Sequence, residues 1–182
     1  MSASSKGVWL GVACLALLGT GLPLERAQGQ QAVPLVVIVS PKTTTNELSL
    51  RVLRRIFRNE PAEWTSGKRY IPMNQTPGTP TRVAFDRAVL GLAPNQIVRF
   101  WVDQRIRGKS GAPRTVDSTA LLARVVANVP GAISYVRAAR IPPQLKALKI
   151  DGKAPGDKGY PLATPEAGGA LRGFDRLLAA TR

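Results

Sequence analysis

The segment Asn74–Arg82 (Asn-Gln-Thr-Pro-Gly-Thr-Pro-Thr-Arg) holds the densest set of groups suited to binding chemistry. A strand ends there, a Gly-containing turn follows, and Thr79-Pro80 reads as the cap and first residue of a helix. A helix N-terminus exposes unpaired N–H groups and the positive end of the helix dipole, which suits an anion. Gln75, Thr76, Gly78, Thr79 and Thr81 would add amide and hydroxyl donors, and Arg82 a charge-assisted one. Two readings stand. The plainer is that Thr79 only caps the helix, since Pro77 and Pro80 each remove an N–H that an anion cradle would use. The other is that the capped turn also receives an oxyanion. The hydroxyl-rich loop Ser40–Asn46, with Thr43 and Thr44, is a lesser candidate. It is expected beside Asn74–Arg82, at the carboxyl ends of adjacent strands; a solvated loop is its plainer reading.

The stripe Arg51, Arg54, Arg55 and Arg58 is the densest run of charge. Like charges at i, i+3 and i+4 cost a few tenths of a kcal/mol per pair, so this helix must be held by its apolar face. The stripe suits an anionic lipid surface, nucleic acid or an acidic partner, or it is simply a solvated basic face. Nucleic acid is not expected, because Phe57, Phe85, Phe100 and Trp101 fall on predicted core faces rather than among the cations.

The chain has 182 residues, no His and one Cys, Cys14. Ser-His-Asp and Cys-His nucleophiles, His-ligated metals and multi-Cys metal sites are excluded. Carboxylates are sparse, and none pair at i, i+3 or i+4 on a predicted helix, so nothing points to an acid–base couple. No enzyme activity, metal or cofactor is expected. The net charge is +15, but 44% hydrophobic and 20% charged residues describe a globular chain, so the excess charge does not signal disorder.

Residues 1–29 read as an export signal: a polar start with Lys6, the apolar run Val8–Leu18, breakers at Gly19, Gly21 and Pro23, and Ala27-Gln28-Gly29 as cleavage site. The run covers about half of a ~30 Å hydrocarbon core, too little for a stable span. The mature chain would be periplasmic or secreted, without a transmembrane segment. It would also lack Cys14, so its stability must come from packing.

Residues 30–162 read as one α/β domain. Pro34–Val39 is an apolar strand covered on both faces. Ser49 caps a helix from about Leu50 to Arg58, with Leu50, Leu53, Ile56 and Phe57 on its apolar face. A strand over Tyr70–Asn74 precedes the helix from Pro80, with Phe85, Ala88, Val89 and Leu92 inward and Gly91 as its end. Pro94 starts a helix to about Arg107 that buries Ile97, Phe100 and Trp101. Asp117-Ser118 caps another, with Leu122, Val125, Val126 and Val129 inward, before strand Ala132–Val136. Gln144–Ile150 suggests an edge strand. Residues 163–182 form a Gly/Ala-rich tail with a weak helix. Strands alternating with helices predict a mainly parallel sheet flanked by helices.

This order of elements resembles the phosphate-binding proteins of ABC transporters. Leu48-Ser49-Leu50 through Ile56-Phe57 is similar to the family's Leu-Ser helix, and Trp64-Thr65-Ser66-Gly67 to its Trp-containing turn. Pro77-Gly78-Thr79 stands where the family has its Ser-Gly-Thr phosphate loop, before a helix with a buried Phe, here Phe85. Val129–Val136 is similar to its Pro-Gly-Ala-Ile strand. The resemblance implies a single lobe of the two-lobed periplasmic-binding fold. It implies an exported domain binding phosphate or a similar oxyanion, with an ABC permease or another envelope protein as partner. Only Gly78 and Thr79 carry over directly. Pro77 replaces the family's first Ser, and its upstream Arg falls near Met73 or Asn74. An accessory module docking an acidic partner through the Arg51–Arg58 face is the alternative.

Overall fold

The computed structural model describes residues 34–61, 67 and 69–164; the expected signal, Trp64 and most of the Gly/Ala-rich tail lie outside them. Strand β1 (Leu35–Val39) is buried at every position, as its unbroken apolar run predicts. It lies within a five-stranded sheet of order β4-β3-β5-β1-β6. The other members are β3 (Ile71–Gln75), β4 (Arg114–Val116), β5 (Ala132–Arg137) and β6 (Lys146–Ala147). Strands β3, β4 and β5 pair in parallel. Strand β1 runs against β5 and against β6, so it is the one reversed strand of a mainly parallel sheet. The expected edge strand over Gln144–Ile150 is split: β7 (Lys149–Ile150) leaves the main sheet and pairs in parallel with β2 (Glu47–Leu48).

Helices cover both faces. Helix α1 (Leu50–Phe57) is capped by Ser49, whose hydroxyl accepts from Val52 N at 3.2 Å. It packs Leu53, Ile56 and Phe57 with Phe85, Val89, Leu90 and Tyr135 on one face. Phe85 stacks on Tyr135 with ring centroids 3.6 Å apart, and Phe57 meets Phe85 edge-on at 4.6 Å. Helix α4 (Thr119–Asn128), capped by Ser118, closes the other face with Leu122, Ala123 and Val126 against Val36, Ile38, Met73 and Val136.

Helix α2 (Pro80–Phe85) does not continue regularly. From Asp86 to Leu90 it widens into a π turn, which ends at Gly91 with a left-handed φ of 70°. The extra residue turns Leu90 inward beside Val89 and leaves Leu92 half-buried.

Helix α3 (Pro94–Ile106) corrects an expectation. No residue in it is buried; Ile97, Phe100 and Trp101 are half-buried, and Ile97 packs against the core on the α1 face of the sheet. Its remaining apolar residues have no sheet face to cover. Phe100 packs edge-on against Trp101.

Candidate functional site

The turn after β3 closes with Thr79 N–H on the Thr76 carbonyl, 3.3 Å, and Gly78 sits at φ 82° in its third position. Thr79 begins α2 with its hydroxyl accepting from Arg82 N at 3.4 Å while donating to Thr76 O at 2.9 Å. Both polar groups of Thr79 therefore go to the turn and cap. The Gln75 amide donates to Tyr135 O at 2.8 Å, and the Thr76 hydroxyl to Asp117 at 3.3 Å. The Gly78 N–H and the Thr81 hydroxyl keep no partner among the described residues.

Arg82 is turned inward, 6% exposed. Its Nε donates to Asp86 Oδ2 at 2.7 Å and its Nη1 to Gln75 O at 3.1 Å. In the orientation that pairs donors with acceptors, the Asn74 carboxamide oxygen accepts from Nη1 and Nη2 at 3.0 and 3.2 Å, while its nitrogen donates to Tyr135 Oη at 3.1 Å. Burial pushes the Asp86 carboxyl above the ordinary carboxylate range, and the Arg82 charge and hydrogen bond only partly offset this. Burial likewise raises the Tyr135 hydroxyl.

Above this pair opens a cleft of about 470 Å³, a size suited to a small ligand. Gly78 lines it from the β3–α2 turn, Arg82 from α2 and Asp86 from the start of the π turn, Ile97, Val98 and Trp101 from α3, and Pro113 and Thr115 from β4 and its approach. Asp86 Oδ1 and Trp101 Nε1 are removed from solvent and hydrogen-bond to nothing. A buried polar atom without a partner costs about 1–3 kcal/mol, so these two need a reason.

The turn lies where the sequence predicts it, whereas Asp86 joins the cleft without being expected there and Trp101, expected in the core, lines the cleft instead. The i, i+4 spacing of Arg82 and Asp86 around buried Phe85 was the available signal. Thr43 and Thr44 are a correction: their loop is not beside Asn74–Arg82. Because β1 runs antiparallel to β5 and Val39 pairs with Ile133, that loop lies at the end of the sheet where β3 begins.

The Arg stripe of α1 also divides. Arg51 and Arg55 are exposed, and Arg55 lies 3.8 Å from Glu60. Arg54 donates to Val89 O at 2.6 Å, and the Arg58 guanidinium stands 5.7 Å over the Phe100 ring. Both are half-buried. The four cations thus do not form one free face.

Among the described residues no cluster of His, Cys, Asp and Glu could hold a metal ion, and no helix is long and apolar enough to cross a membrane.

No family model and no curated protein matches the sequence. Solved structures do match. One is a phosphate ABC transporter substrate-binding protein with bound phosphate from Clostridium perfringens, with TM-score 0.54 and 17% identity over 67% of this chain. A phosphate transport receptor from Vibrio cholerae gives 0.58 and 15% over 72%, and PstS from Borrelia burgdorferi 0.56 and 15% over 78%. This chain has their fold. It covers 46%, 54% and 61% of those three chains, so the phosphate-binding-protein-like part here is about half to three-fifths of their length.

Proposed function

We propose that this chain is an exported phosphate-binding-protein-like lobe. It takes a protonated oxyanion, phosphate above all, in the cleft over Arg82 and Asp86, and works beside an ABC transporter in the cell envelope. The observation that carries the reading is that two residues lining the cleft, Asp86 and Trp101, each hold a buried polar group without a partner, which a ligand reaches once those side chains turn toward it. Asp86 Oδ1 needs a donor and Trp101 Nε1 an acceptor. A hydrogen-bearing oxyanion brings both.

Gly78 and Thr115 also line the cleft, and the Gly78 N–H and Thr115 hydroxyl, without a partner among the described residues, add donors. Arg82 Nη2, with one hydrogen beyond its bond to Asn74, adds a charged one. The apolar walls exclude water and strengthen each of these bonds. The Asp86 charge balances Arg82, so the site is nearly neutral and affinity should be modest.

Titrating phosphate while following tryptophan emission tests this, because Trp101 Nε1 would gain a partner. A saturable change, lost in Trp101→Phe, supports the reading. An emission spectrum unmoved by phosphate, with no thermal shift, contradicts it.

A further inference from the structure

Helix α3 leaves Val98, Val102 and Ile106 exposed at 64%, 53% and 79%. At i, i+4 and i+8 they form one apolar stripe about 12 Å long. Trp101, one step round the helix, joins this stripe to the cleft beside it. Scattered exposed apolar residues are ordinary, but a continuous stripe opening into a concave apolar cleft is the form of an interaction surface.

The charge around it selects the occupant. Arg99, Arg105, Arg107, Lys109 and Arg114 are all exposed, and Asp103 is already paired with Arg107 at 2.9 Å. A second copy of this chain would bring the same cations and a net charge of +15. The chain's own residues 165–182 carry Arg172, Arg176 and Arg182 against Glu166 and Asp175, so they match this rim poorly. A flat lipid surface would meet the stripe but leave the apolar cleft beside Trp101 unfilled, whereas a protein segment can cover both.

We propose that the α3 stripe docks an acidic, apolar-faced segment of another protein, its apolar side chains on Val98, Val102 and Ile106 and its carboxylates on Arg99 and Arg105. This goes beyond oxyanion binding and does not rest on it. Anchoring by apolar residues with a complementary charged rim is the usual division of labour at such surfaces.

The test uses a fluorescent amphipathic helical peptide with Leu on one face and Glu on the other, titrated with the protein. Binding should weaken with salt, and by about tenfold or more in Val102→Asp/Ile106→Asp and in Arg99→Glu/Arg105→Glu. These exposed positions should leave circular dichroism unchanged, which separates lost docking from lost folding.

Four results would overturn the proposal. One is equal binding of a peptide with Lys in place of Glu. Another is binding indifferent to both double variants, and a third is peptide binding that appears only after removal of residues 165–182. The last is no peptide binding at all, whether or not the stripe instead supports self-association in sedimentation or attachment to phosphatidylglycerol vesicles.

Discussion

Arg82 Nε lies 2.7 Å from Asp86 Oδ2, one helical turn apart, with both side chains only 7% exposed. The pair closes the floor of the cleft, anchors α2 to the end of β3 through Gln75 O and Asn74, and leaves Asp86 Oδ1 over. The π turn starts at Asp86, and the Asp86 carbonyl accepts from both Gly91 and Leu92 at its end.

Removing one partner should cost far more than removing both. Arg82→Met strands a buried carboxylate and should destabilise the fold by about 3–5 kcal/mol. Arg82→Met with Asp86→Leu replaces the pair by apolar volume and should recover most of the loss. Urea unfolding of the three proteins measures this. With Asp86→Leu measured as well, a double-variant loss equal to the sum of the two single losses would mean that the pair is not coupled.

Asp86 gives stability a definite acid dependence. Its folded carboxyl is raised by burial, so just above the ordinary carboxylate range the native state holds more protons than the unfolded chain. Stability contributed by this group is therefore full below that range and falls as pH rises through the raised value. The wild type should lose stability relative to Asp86→Asn as pH rises across this acidic window. A difference moving the other way would mean that attraction to Arg82 outweighs burial.

The aromatic stack should be the most sensitive part of the core. Phe85→Ala removes the ring that meets both Phe57 and Tyr135 and should cost about 3–5 kcal/mol. Tyr135→Phe keeps the stack and loses the hydroxyl contact with Asn74, costing about 1 kcal/mol. Thermal or urea unfolding separates the two.

The turn can be tested without touching the cleft floor. A Cβ on Gly78 would meet nothing within 4 Å, so Gly78→Ala is penalised by its φ of 82° alone, about 1–2 kcal/mol. Thr79→Ala removes a helix cap and should cost about 1 kcal/mol. Because the Thr79 hydroxyl is already spent on that cap, the variant should lower Tm while leaving phosphate affinity within about threefold.

Most of the scaffold was legible because apolar periodicity and capping chemistry agree. The run Leu35–Val39, the caps Ser49, Thr79 and Ser118, and the stop at Gly91 all stand where local rules put them. Pairing partners and strand direction were not legible. Nothing within Leu35–Val39 says that it runs against β5, and that reversal carried Thr43 and Thr44 to the other end of the sheet. Edge strand β4, three residues with one buried, is too short and polar to leave a pattern. At the site the turn was legible. The inward rotation of Arg82 was not, because it depends on Asp86 and on Asn74 from a different element.

Isothermal calorimetry of phosphate against sulfate, with wild type and Asp86→Asn side by side, tests the central claim most directly. Sulfate has no hydrogen to give Asp86 Oδ1 near neutral pH, whereas phosphate does. The wild type should bind phosphate at least about tenfold tighter than sulfate, a difference of about 1.4 kcal/mol, and Asp86→Asn should shrink that preference. No heat with either anion, or equal affinity for both in the wild type, would contradict an oxyanion held between Arg82 and Asp86.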